Sequence, residues 1–198
     1  MLANAIIAEK VDPRIRRTRM LLEDAFSDLI REKDFQSITI QDITAHAGIN
    51  RATFYAHFPD KYALLTDKIN QDFRAKIEKR TLNACHYSEQ NLRALIQAVC
   101  EFVHEANGQC KSPQGQFESL MEAQVKDQIK DLFVTWVNQI GSRIPADLAA
   151  TAASWSIYGL AQYWDHDKDR IPLPVFVEQV FPLVQANLQL NCDCVGEG

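Results

Sequence analysis

The segment 50–58 combines small side chains with side chains that form hydrogen bonds. On a helical wheel, Phe54 and Phe58 fall on one side and mark the buried direction of a short helix that follows Asn50. Tyr55 and His57 lie on the two flanks of that helix. The side opposite the phenylalanines carries small residues, namely Ala52, Thr53 and Ala56. Such a helix can press close to base edges in the major groove of DNA, where an alanine packs on a thymine methyl group.

Two cations accompany this helix. Arg51 lies in its first turn and leans toward the buried side, but its side chain is long enough to reach a guanine or a phosphate. Lys61 stands in the first turn of the next helix, beside N-terminal amide groups, and this combination predicts an anion site. Tyr55 and His57 have a simpler alternative interpretation as ordinary surface residues, and His46 is interpreted as a structural histidine.

The preceding residues predict a second short helix. Thr39 and Asp42 fit the capping box, in which a hydroxyl caps a backbone N–H and an acid lies in the positive first turn. Gly48 suits the left-handed residue that ends a helix, Asn50 can cap the helix that follows, and Pro59 stops it. The segment 39–58 therefore has the spacing of a helix-turn-helix, whose second helix enters the major groove. Short helix pairs with a glycine turn also occur in proteins that do not bind DNA.

Apolar residues recur at helical spacing along nearly the whole chain, and no alternating strand pattern is found. The pattern predicts a first helix from Thr18 to Ile30 and a long helix over 59–80. It predicts separate helices around Phe117–Met121 and Ile129–Ile140, and further helices over 146–164 and 175–190. The fold class is therefore predicted to be all-α, with about nine helices.

Charge is distributed unevenly along the 198 residues. Residues 1–80 carry 14 Lys and Arg against 12 Asp and Glu, whereas residues 81–198 carry 7 against 14. Lys10 and four arginines crowd into the segment 10–19. A basic end facing a polyanion and an acidic remainder with another task would produce this pattern, although a solvated charged face would produce it too. No apolar run approaches the roughly 20 residues of a membrane helix, and the first eight residues lack the basic start of a secretory signal. A cytoplasmic protein is expected.

Sequence motifs of common enzymes are missing. We find no P-loop, GxGxxG, HExxH or Gly-x-Ser-x-Gly pattern, and the acidic run 165–169 lacks the glycine and terminal glutamate of a calcium loop. The five cysteines (85, 100, 110, 192 and 194) have no zinc-site spacing and are predicted to be free thiols, with a redox pair at Cys192 and Cys194 as the alternative. No catalytic residue, metal or cofactor is predicted.

The segment 39–61 reads TIQDITAHAGINRATFYAHFPDK and is followed by Leu64. A threonine opens the first of its helices, Asp-Ile lies inside that helix, and Ala-Gly-Ile forms the turn. Thr-Phe-Tyr-x-His-Phe occupies the second helix, and Pro-x-Lys begins the next. With these features, residues 16–76 resemble the DNA-binding domain of the TetR family of transcriptional regulators.

The resemblance implies an α-helical homodimer with an N-terminal three-helix DNA-binding domain over 16–76 and a helical effector-binding and dimerisation domain over 77–190. Residues 1–12 and 191–198 are expected to be flexible. Phosphate contacts are implied for Thr39, Thr53, Tyr55, His57 and Lys61. Base contacts are implied for Asn50, Arg51 and Ala52, with Gln41 as a helper. Ala52 replaces a glycine common in the family and slightly limits the approach to DNA. The basic segment 10–19 is expected to form an arm that enters the minor groove or to be disordered.

The resemblance also implies that the last two long helices, 146–164 and 175–190, form a four-helix bundle with a second copy. The candidate seam residues are Trp155, Tyr158, Gly159, Gln162, Val177, Val180, Phe181 and Val184. A cavity for a small hydrophobic or aromatic effector would draw on Val99, Phe102, Val103, Phe117, Leu120, Met121, Phe133, Trp136 and Val137. Polar contacts are candidates at His104, Gln116, Glu118 and Gln124. Simple core packing is the alternative interpretation for each of these residues.

The function expected from these features is that of a ligand-responsive repressor that binds a pseudo-palindromic operator as a homodimer. An effector bound to the C-terminal domain would change the separation of the two DNA-binding domains through the helix 59–80. The alternative is a co-activator whose acidic C-terminal part docks a protein partner.

Overall fold

The computed structural model describes residues 12–80, 86–109 and 115–191, and these ranges form helices joined by short connections. The elements in chain order are α1 (Pro13–Glu32), a 3-10 turn (Phe35–Ser37), α2 (Ile40–Ala47), α3 (Arg51–His57), α4 (Lys61–Arg80), α5 (Glu89–Gln109), α6 (Gln116–Ile140), α7 (Ala146–His166) and α8 (Leu173–Leu188). Within the described ranges no strand forms, apart from one isolated bridge between Ser142 and Leu190. The all-α prediction is confirmed.

Backbone contacts divide the described residues into two units. The head unit comprises residues 12–65, and the body unit comprises residues 66–109 and 115–191. The division falls within α4, between Leu65 and Thr66. The domain boundary predicted after residue 76 lies in the same helix and stays a prediction.

Helix α1 begins earlier than the apolar pattern indicates. Asp12 caps it by accepting a hydrogen bond from the backbone N–H of Arg14 at 2.8 Å, and Pro13 occupies the first helical position. Arg14, Arg16, Arg17 and Arg19 therefore lie in the first two turns of α1. The prediction that these residues form an arm before the first helix, or are disordered, is wrong. The expected flexible ends, including Lys10, lie outside the described residues except at Asp12 and Asn191.

Helix α6 is continuous where two separate helices were expected. Met121, Val125 and Ile129 follow one another at four-residue spacing on its buried face, and they bridge the charged stretch between the two predicted segments. Since no glycine or proline interrupts this stretch, the two patterns merge into one helix of 25 residues. The described residues therefore contain eight α-helices, close to the predicted number.

The head unit packs α1, α2 and α3 around a small core. Leu22, Phe26, Ile43, Phe54 and Leu64 are fully buried there. The core has to form before α3 can present its opposite face, because α3 alone is too short to be stable in water.

The body unit is built from the remainder of α4 and from α5 to α8. Phe133 and Trp136 of α6 are fully buried, with their ring centroids 5.6 Å apart. Helix α7 packs against α5, α6 and α8. Among the described residues, no helix is both long enough and apolar enough to cross a membrane.

Candidate nucleic-acid interface

The capping box predicted for α2 is present. The hydroxyl of Thr39 accepts a hydrogen bond from the backbone N–H of Asp42 at 3.1 Å, and the Asp42 carboxylate accepts the backbone N–H of Thr39 at 2.9 Å. The carboxylate also accepts the Thr39 hydroxyl at 2.8 Å and the ammonium of Lys33 at 3.2 Å. The hydrogen bonds from Thr39, followed by that from Lys33, lower the pKa of Asp42 to about 2. Since Asp42 is ionised at neutral pH, the cap is fully formed there.

The turn between α2 and α3 depends on a left-handed residue. Gly48 has φ of 66°, and its N–H donates to the Ala45 carbonyl at 3.3 Å. The next N–H, from Ile49, donates to the Thr44 carbonyl at 3.0 Å. Asn50 then caps α3 as predicted, because its side-chain oxygen accepts the backbone N–H of Thr53 at 2.8 Å. Helix α3 is thus held at its N-terminus by interactions within a few residues of sequence.

The outward face of α3 matches the helical wheel. Phe54 and Phe58 are buried, with ring centroids 6.0 Å apart. The exposed residues of the segment are Asn50, Arg51, Ala52, Tyr55 and Ala56, whereas Thr53 and His57 are half-buried. The Thr53 hydroxyl donates to Asn50 at 3.0 Å, so that it takes part in the cap. The structure therefore places small and hydrogen-bonding groups together on one accessible surface, which we call the recognition face (residues 50–53 and 55–57).

Arg51 and Tyr55 form a pair along this face. A guanidinium N–H of Arg51 donates to the Tyr55 hydroxyl at 3.1 Å, and the guanidinium carbon lies 5.5 Å from the ring centroid. Tyr55 is 45% exposed. The contact takes one of the five donors of the guanidinium and leaves the tyrosine hydroxyl its own proton. The pair can therefore present donors to a base edge and to a phosphate.

Lys61 has a different environment from the one its sequence position suggests. Its ammonium donates to the backbone carbonyls of Phe35 at 2.8 Å, Gln36 at 3.0 Å and Ile38 at 2.8 Å. It also lies 4.7 Å from the centroid of the Phe35 ring. Burial lowers the pKa of Lys61, and the charge of Asp34 opposes that shift. The structure thus directs this ammonium toward the 3-10 turn.

The remaining candidates of the head unit lie on α2. Gln41 is exposed in its first turn. His46, which the sequence marks as structural, has Nε2 3.2 Å from Oδ2 of Asp28 on α1. Lys33, which sequence reasoning missed, supports the cap through Asp42 across nine residues. The one signal in the sequence that could have identified Lys33 is that it is a basic residue a few positions before a capping box.

The predicted effector pocket corresponds to packed core in the body unit. Eight of its nine residues are buried, and Leu120 is half-buried. Among the candidates for polar contacts, His104 lies 2.6 Å from the Asp165 carboxylate, and Gln124 accepts the Asn70 amide at 3.1 Å. Gln116 is exposed and Glu118 is half-buried. Gln162 is notable because its side-chain oxygen is buried without a hydrogen-bond partner, while its amide nitrogen donates to Tyr158 at 3.0 Å.

An open groove of about 300 Å³ lies between α6 and α7. It is lined by Ser119, Glu122, Ala123, Lys126, Asp127, Lys130, Ser154 and Trp155, none of which belongs to the predicted pocket. The Lys126 ammonium lies 4.3 Å from the centroid of the Trp155 ring. No group of His, Cys, Asp and Glu side chains in the described ranges is arranged to hold a metal ion.

The predicted seam residues divide into two sets. Tyr158, Val177, Val180, Phe181 and Val184 are buried within the protomer. Trp155 and Gly159 are exposed and Gln162 is half-buried. Sequence reasoning missed further large apolar residues that are exposed on the same two helices, namely Leu148, Tyr163, Val175 and Leu183. Their spacing contains a detectable pattern, because residues 148, 152, 155, 159 and 163 recur every three or four positions along α7. We call the exposed large apolar residues of α7 and α8 (Leu148, Trp155, Tyr163, Val175 and Leu183) the outer apolar face.

Comparison with known proteins agrees with this geometry. Residues 24–67 match the family described as "Bacterial regulatory proteins, tetR family", and the match covers the second part of α1, all of α2 and α3, and the start of α4. Residues 24–67 are therefore a segment of the tetR-family type. The match lies within the segment in which the sequence motifs of the TetR resemblance occur.

Two curated relatives match part of the chain. A region of 75 residues, 37% of the chain, is 41% identical to the uncharacterized HTH-type transcriptional regulator YxbF of Bacillus subtilis. A region of 79 residues, 40% of the chain, is 32% identical to the HTH-type dhaKLM operon transcriptional activator DhaS of Lactococcus lactis. The matched regions span 20% of YxbF and 41% of DhaS, which is less than half the length of either relative.

Solved structures share the fold of this chain over most of its length. A TetR-family regulator from Streptomyces coelicolor aligns with a TM-score of 0.63 and 14% identity, covering 87% of this chain and 95% of that one. FadR from Bacillus subtilis, solved in complex with stearoyl-CoA, aligns with a TM-score of 0.56 and 14% identity, covering 85% and 98%.

Proposed function

We propose that this chain is a transcriptional regulator of the tetR family that binds operator DNA as a homodimer, with α3 in the major groove. The observation that carries the proposal is the recognition face, on which small residues lie between residues that form hydrogen bonds. The N-termini of α2 and α3 are both capped, by Thr39 and Asn50, and the caps hold this face in place. Such a face can approach base edges closely, with only the Ala52 methyl group limiting the distance. Since its target is DNA, we place the protein in the cytoplasm.

The proposal assigns roles to the predicted residues. Asn50, Arg51 and Ala52, at the N-terminus of α3, approach base edges, as N-terminal residues of a recognition helix do. Thr39, Thr53, Tyr55 and His57 contact phosphates on the two strands, and Gln41 assists from α2. In this arrangement the Tyr55 hydroxyl donates its proton to a phosphate while it accepts a hydrogen bond from Arg51.

The outer apolar face supports dimerisation. Trp155 is 63% exposed and Tyr163 is 67% exposed, and Leu183 of α8 is exposed as well. Side chains of this size and hydrophobicity are typical anchors of protein interfaces. Covering them lowers the free energy, because apolar surface is removed from water. A twofold interface through α7 and α8 would also provide two recognition helices for a pseudo-palindromic operator.

The body unit is proposed to bind a small hydrophobic or aromatic effector. Because the predicted pocket residues are packed, an effector would have to select a conformation in which they separate. The buried oxygen of Gln162 would gain a hydrogen bond from a ligand that carries an N–H or O–H group. FadR from Bacillus subtilis, which shares this fold, was solved in complex with stearoyl-CoA, a ligand that carries a long apolar acyl chain. Binding there would loosen operator binding through α4, and the chain would then act as a repressor.

An activator is the second candidate. It is favoured by the name of DhaS, which is described as a transcriptional activator, and it is compatible with the excess of acidic residues after residue 80. In this case the body would dock a protein partner instead of a small molecule.

The first experiment is a selection of binders from a pool of randomised duplexes at moderate salt. Recovery of a pseudo-palindrome whose half-sites lie about one helical turn apart, or a multiple of it, is expected for the dimer. Weak binding without sequence preference, lost as salt increases, would contradict the proposal for the isolated protein and favour a partner-dependent activator.

A further inference from the structure

One polar atom of the body unit is buried without a partner. The side-chain oxygen of Gln162 on α7 is enclosed and accepts no hydrogen bond, and among the described residues no other buried side-chain nitrogen or oxygen is in this condition. An unpaired buried acceptor is costly, and folded proteins rarely keep one that has no further role. The Gln162 oxygen therefore indicates a donor that comes from outside the folded chain.

A tyrosine beside this oxygen supplies a complementary group. The Gln162 amide nitrogen donates to the Tyr158 hydroxyl at 3.0 Å. Burial raises the pKa of the Tyr158 hydroxyl, the hydrogen bond from Gln162 opposes that shift, and the charges of Glu122 and Glu118 add to it. The hydroxyl is therefore protonated at neutral pH, and it keeps its proton for donation because the bond from Gln162 uses an oxygen lone pair. Together, Tyr158 and Gln162 offer one donor and one acceptor.

The pair lies next to the open groove between α6 and α7. Ser154 and Trp155 line this groove and precede Tyr158 by four and three residues, so that they lie on the same side of α7. Glu122 of α6 lines the groove as well, and its charge acts on Tyr158. Gln162 follows Tyr158 by four residues and is half-buried as a residue. Rotation of side chains, without movement of the helices, can therefore expose its oxygen.

The charges around the pair favour a neutral ligand. The cations of the groove, Lys126 and Lys130, are engaged by carboxylates at 2.7 Å and 2.8 Å. The charges that act on Tyr158 are those of Glu118 and Glu122, which would repel an anionic group. A hydroxyl group is neutral, and it can accept from a tyrosine and donate to an amide oxygen at the same time.

We propose that the groove between α6 and α7, together with Tyr158 and Gln162, binds a small neutral molecule that carries a hydroxyl group on an aromatic ring. The hydroxyl accepts from Tyr158 and donates to Gln162, and the ring lies beside Trp155. The volume of about 300 Å³ is at the lower end of the range of small-molecule sites. The inference rests on the proposed binding of an effector by the body unit, and it places that effector outside the packed core. Because Trp155 also belongs to the outer apolar face, the site lies at the edge of the proposed dimer interface.

The test uses phenol as the probe and the full chain as the protein. Calorimetry measures the affinity for phenol, for toluene, which has the ring without the hydroxyl, and for benzoate, which carries a charge instead. The side-chain amide signals of Gln162, identified in NMR spectra by their loss in Gln162→Met, locate the ligand. Tyr158→Phe removes the donor, and Gln162→Met removes the acceptor. Matched controls are Tyr87→Phe and Gln185→Met, because the Tyr87 hydroxyl accepts the Gln185 amide at 2.9 Å elsewhere in the body unit.

We expect phenol to shift the Gln162 signals and to bind about three- to tenfold more tightly than toluene or benzoate. Tyr158→Phe and Gln162→Met should each weaken phenol binding by a similar factor, since each removes one hydrogen bond, while the two controls stay near wild type. If one site variant does not fold, the other variant and the comparison of phenol with toluene on wild type decide the outcome.

Three results overturn the inference: equal affinity for phenol and toluene, equal phenol affinity in wild type and the site variants, or no phenol binding. Gln162 signals that respond to protein concentration but not to phenol also overturn it, because a second copy would then supply the missing donor.

The outcome is separable from the proposed function, since the binding measurements contain no DNA. A chain that binds phenol as expected but selects no operator contradicts only the proposed DNA binding. A chain that selects an operator but does not bind phenol contradicts only this inference.

Discussion

The recognition face and the outer apolar face are both exposed, but they are built in opposite ways. The recognition face consists of small and polar groups held by hydrogen bonds within three or four residues, such as Asn50 to Thr53. The outer apolar face consists of large side chains, among them Trp155 and Leu183, on two long helices whose opposite sides are buried. The recognition face can bind a hydrophilic polyanion without rearrangement of its backbone. The outer apolar face exposes apolar surface to water, which is unfavourable until another apolar surface covers it.

The largest effect should come from removing the support of the recognition face. Phe54→Ala deletes a fully buried ring in the head unit and should lower the free energy of unfolding by about 3–5 kcal/mol. Chemical denaturation followed by circular dichroism measures this loss. The matched control is Ala56→Ser on the exposed side of the same helix, for which we expect a change within about 0.5 kcal/mol. Equal losses in the two variants would mean that α3 does not pack through Phe54.

The next effect tests the outer apolar face. Trp155→Glu places a charge where the proposed interface buries an indole, and it should weaken the dimer by about 2–4 kcal/mol. Sedimentation velocity at several concentrations would then show a monomer where wild type is a dimer. Asn138→Glu, on the exposed side of α6, introduces the same charge as a control and should leave the dimer intact. A dimeric Trp155→Glu protein would move the proposed interface away from α7.

Arg51 sharpens the comparison within the recognition face. Arg51→Ala should relax the preference at one position of each half-site by about 1–3 kcal/mol, whereas Tyr55→Phe should weaken binding to all sequences alike. The Arg51 and Tyr55 side chains share a hydrogen bond. In a double-mutant cycle of operator binding, the loss in the double variant should therefore differ from the sum of the two single losses. Binding to a panel of single-base operator variants distinguishes the two effects. Uniform weakening by Arg51→Ala would make Arg51 a phosphate contact.

A smaller effect is expected at the turn that joins the two short helices. Gly48→Ala should cost about 1–2 kcal/mol of stability, because φ is 66° at this position, and a Cβ atom there would meet no heavy atom within 4 Å. Strain of the backbone is therefore the whole penalty. Gly48→Asn is the control and should recover part of the loss, since asparagine tolerates the left-handed region. Thermal unfolding of the two variants measures the difference, and equal melting temperatures would contradict this interpretation.

The smallest effect concerns pH. The pKa of Asp42 is about 2 in the folded protein and ordinarily 3.8, so its contribution to stability is present above pH 4 and is lost as the pH falls through about 2. Asp42→Asn should flatten the stability profile between pH 2 and 4, measured by thermal unfolding. Thr39→Val removes one of the hydrogen bonds to the carboxylate but keeps the backbone donor, and it should give an intermediate profile. A profile of Asp42→Asn that parallels wild type would contradict a role for this carboxylate in the cap.

The sequence predicted the two caps and the turn of the head unit correctly because each depends on residues that are close along the chain. A threonine and an aspartate three positions apart, or an asparagine just before a helix, can form their hydrogen bonds in almost any tertiary context. Long-range contacts do not have this property. Lys61 meets carbonyls 23 to 26 positions away, and its position at a helix N-terminus gave no indication of them.

The body unit shows what hydrophobicity alone cannot decide. Its pattern predicted α7 and α8 correctly but divided α6 into two helices. Phe133 and Trp136 of the predicted pocket lie in packed core, and Tyr158 and Val184 of the predicted seam are buried within the protomer. A buried leucine or tryptophan has the same appearance in sequence whether it faces its own core, a ligand or a second subunit. By itself, the sequence determined the helical fold, the helix-turn-helix and the side of α3 that faces outward, since these follow from local hydrogen bonds and periodicity. Only the tertiary structure decided which apolar residues remain uncovered on α7 and α8 and where the Lys61 ammonium lies, because both depend on which helices pack against one another.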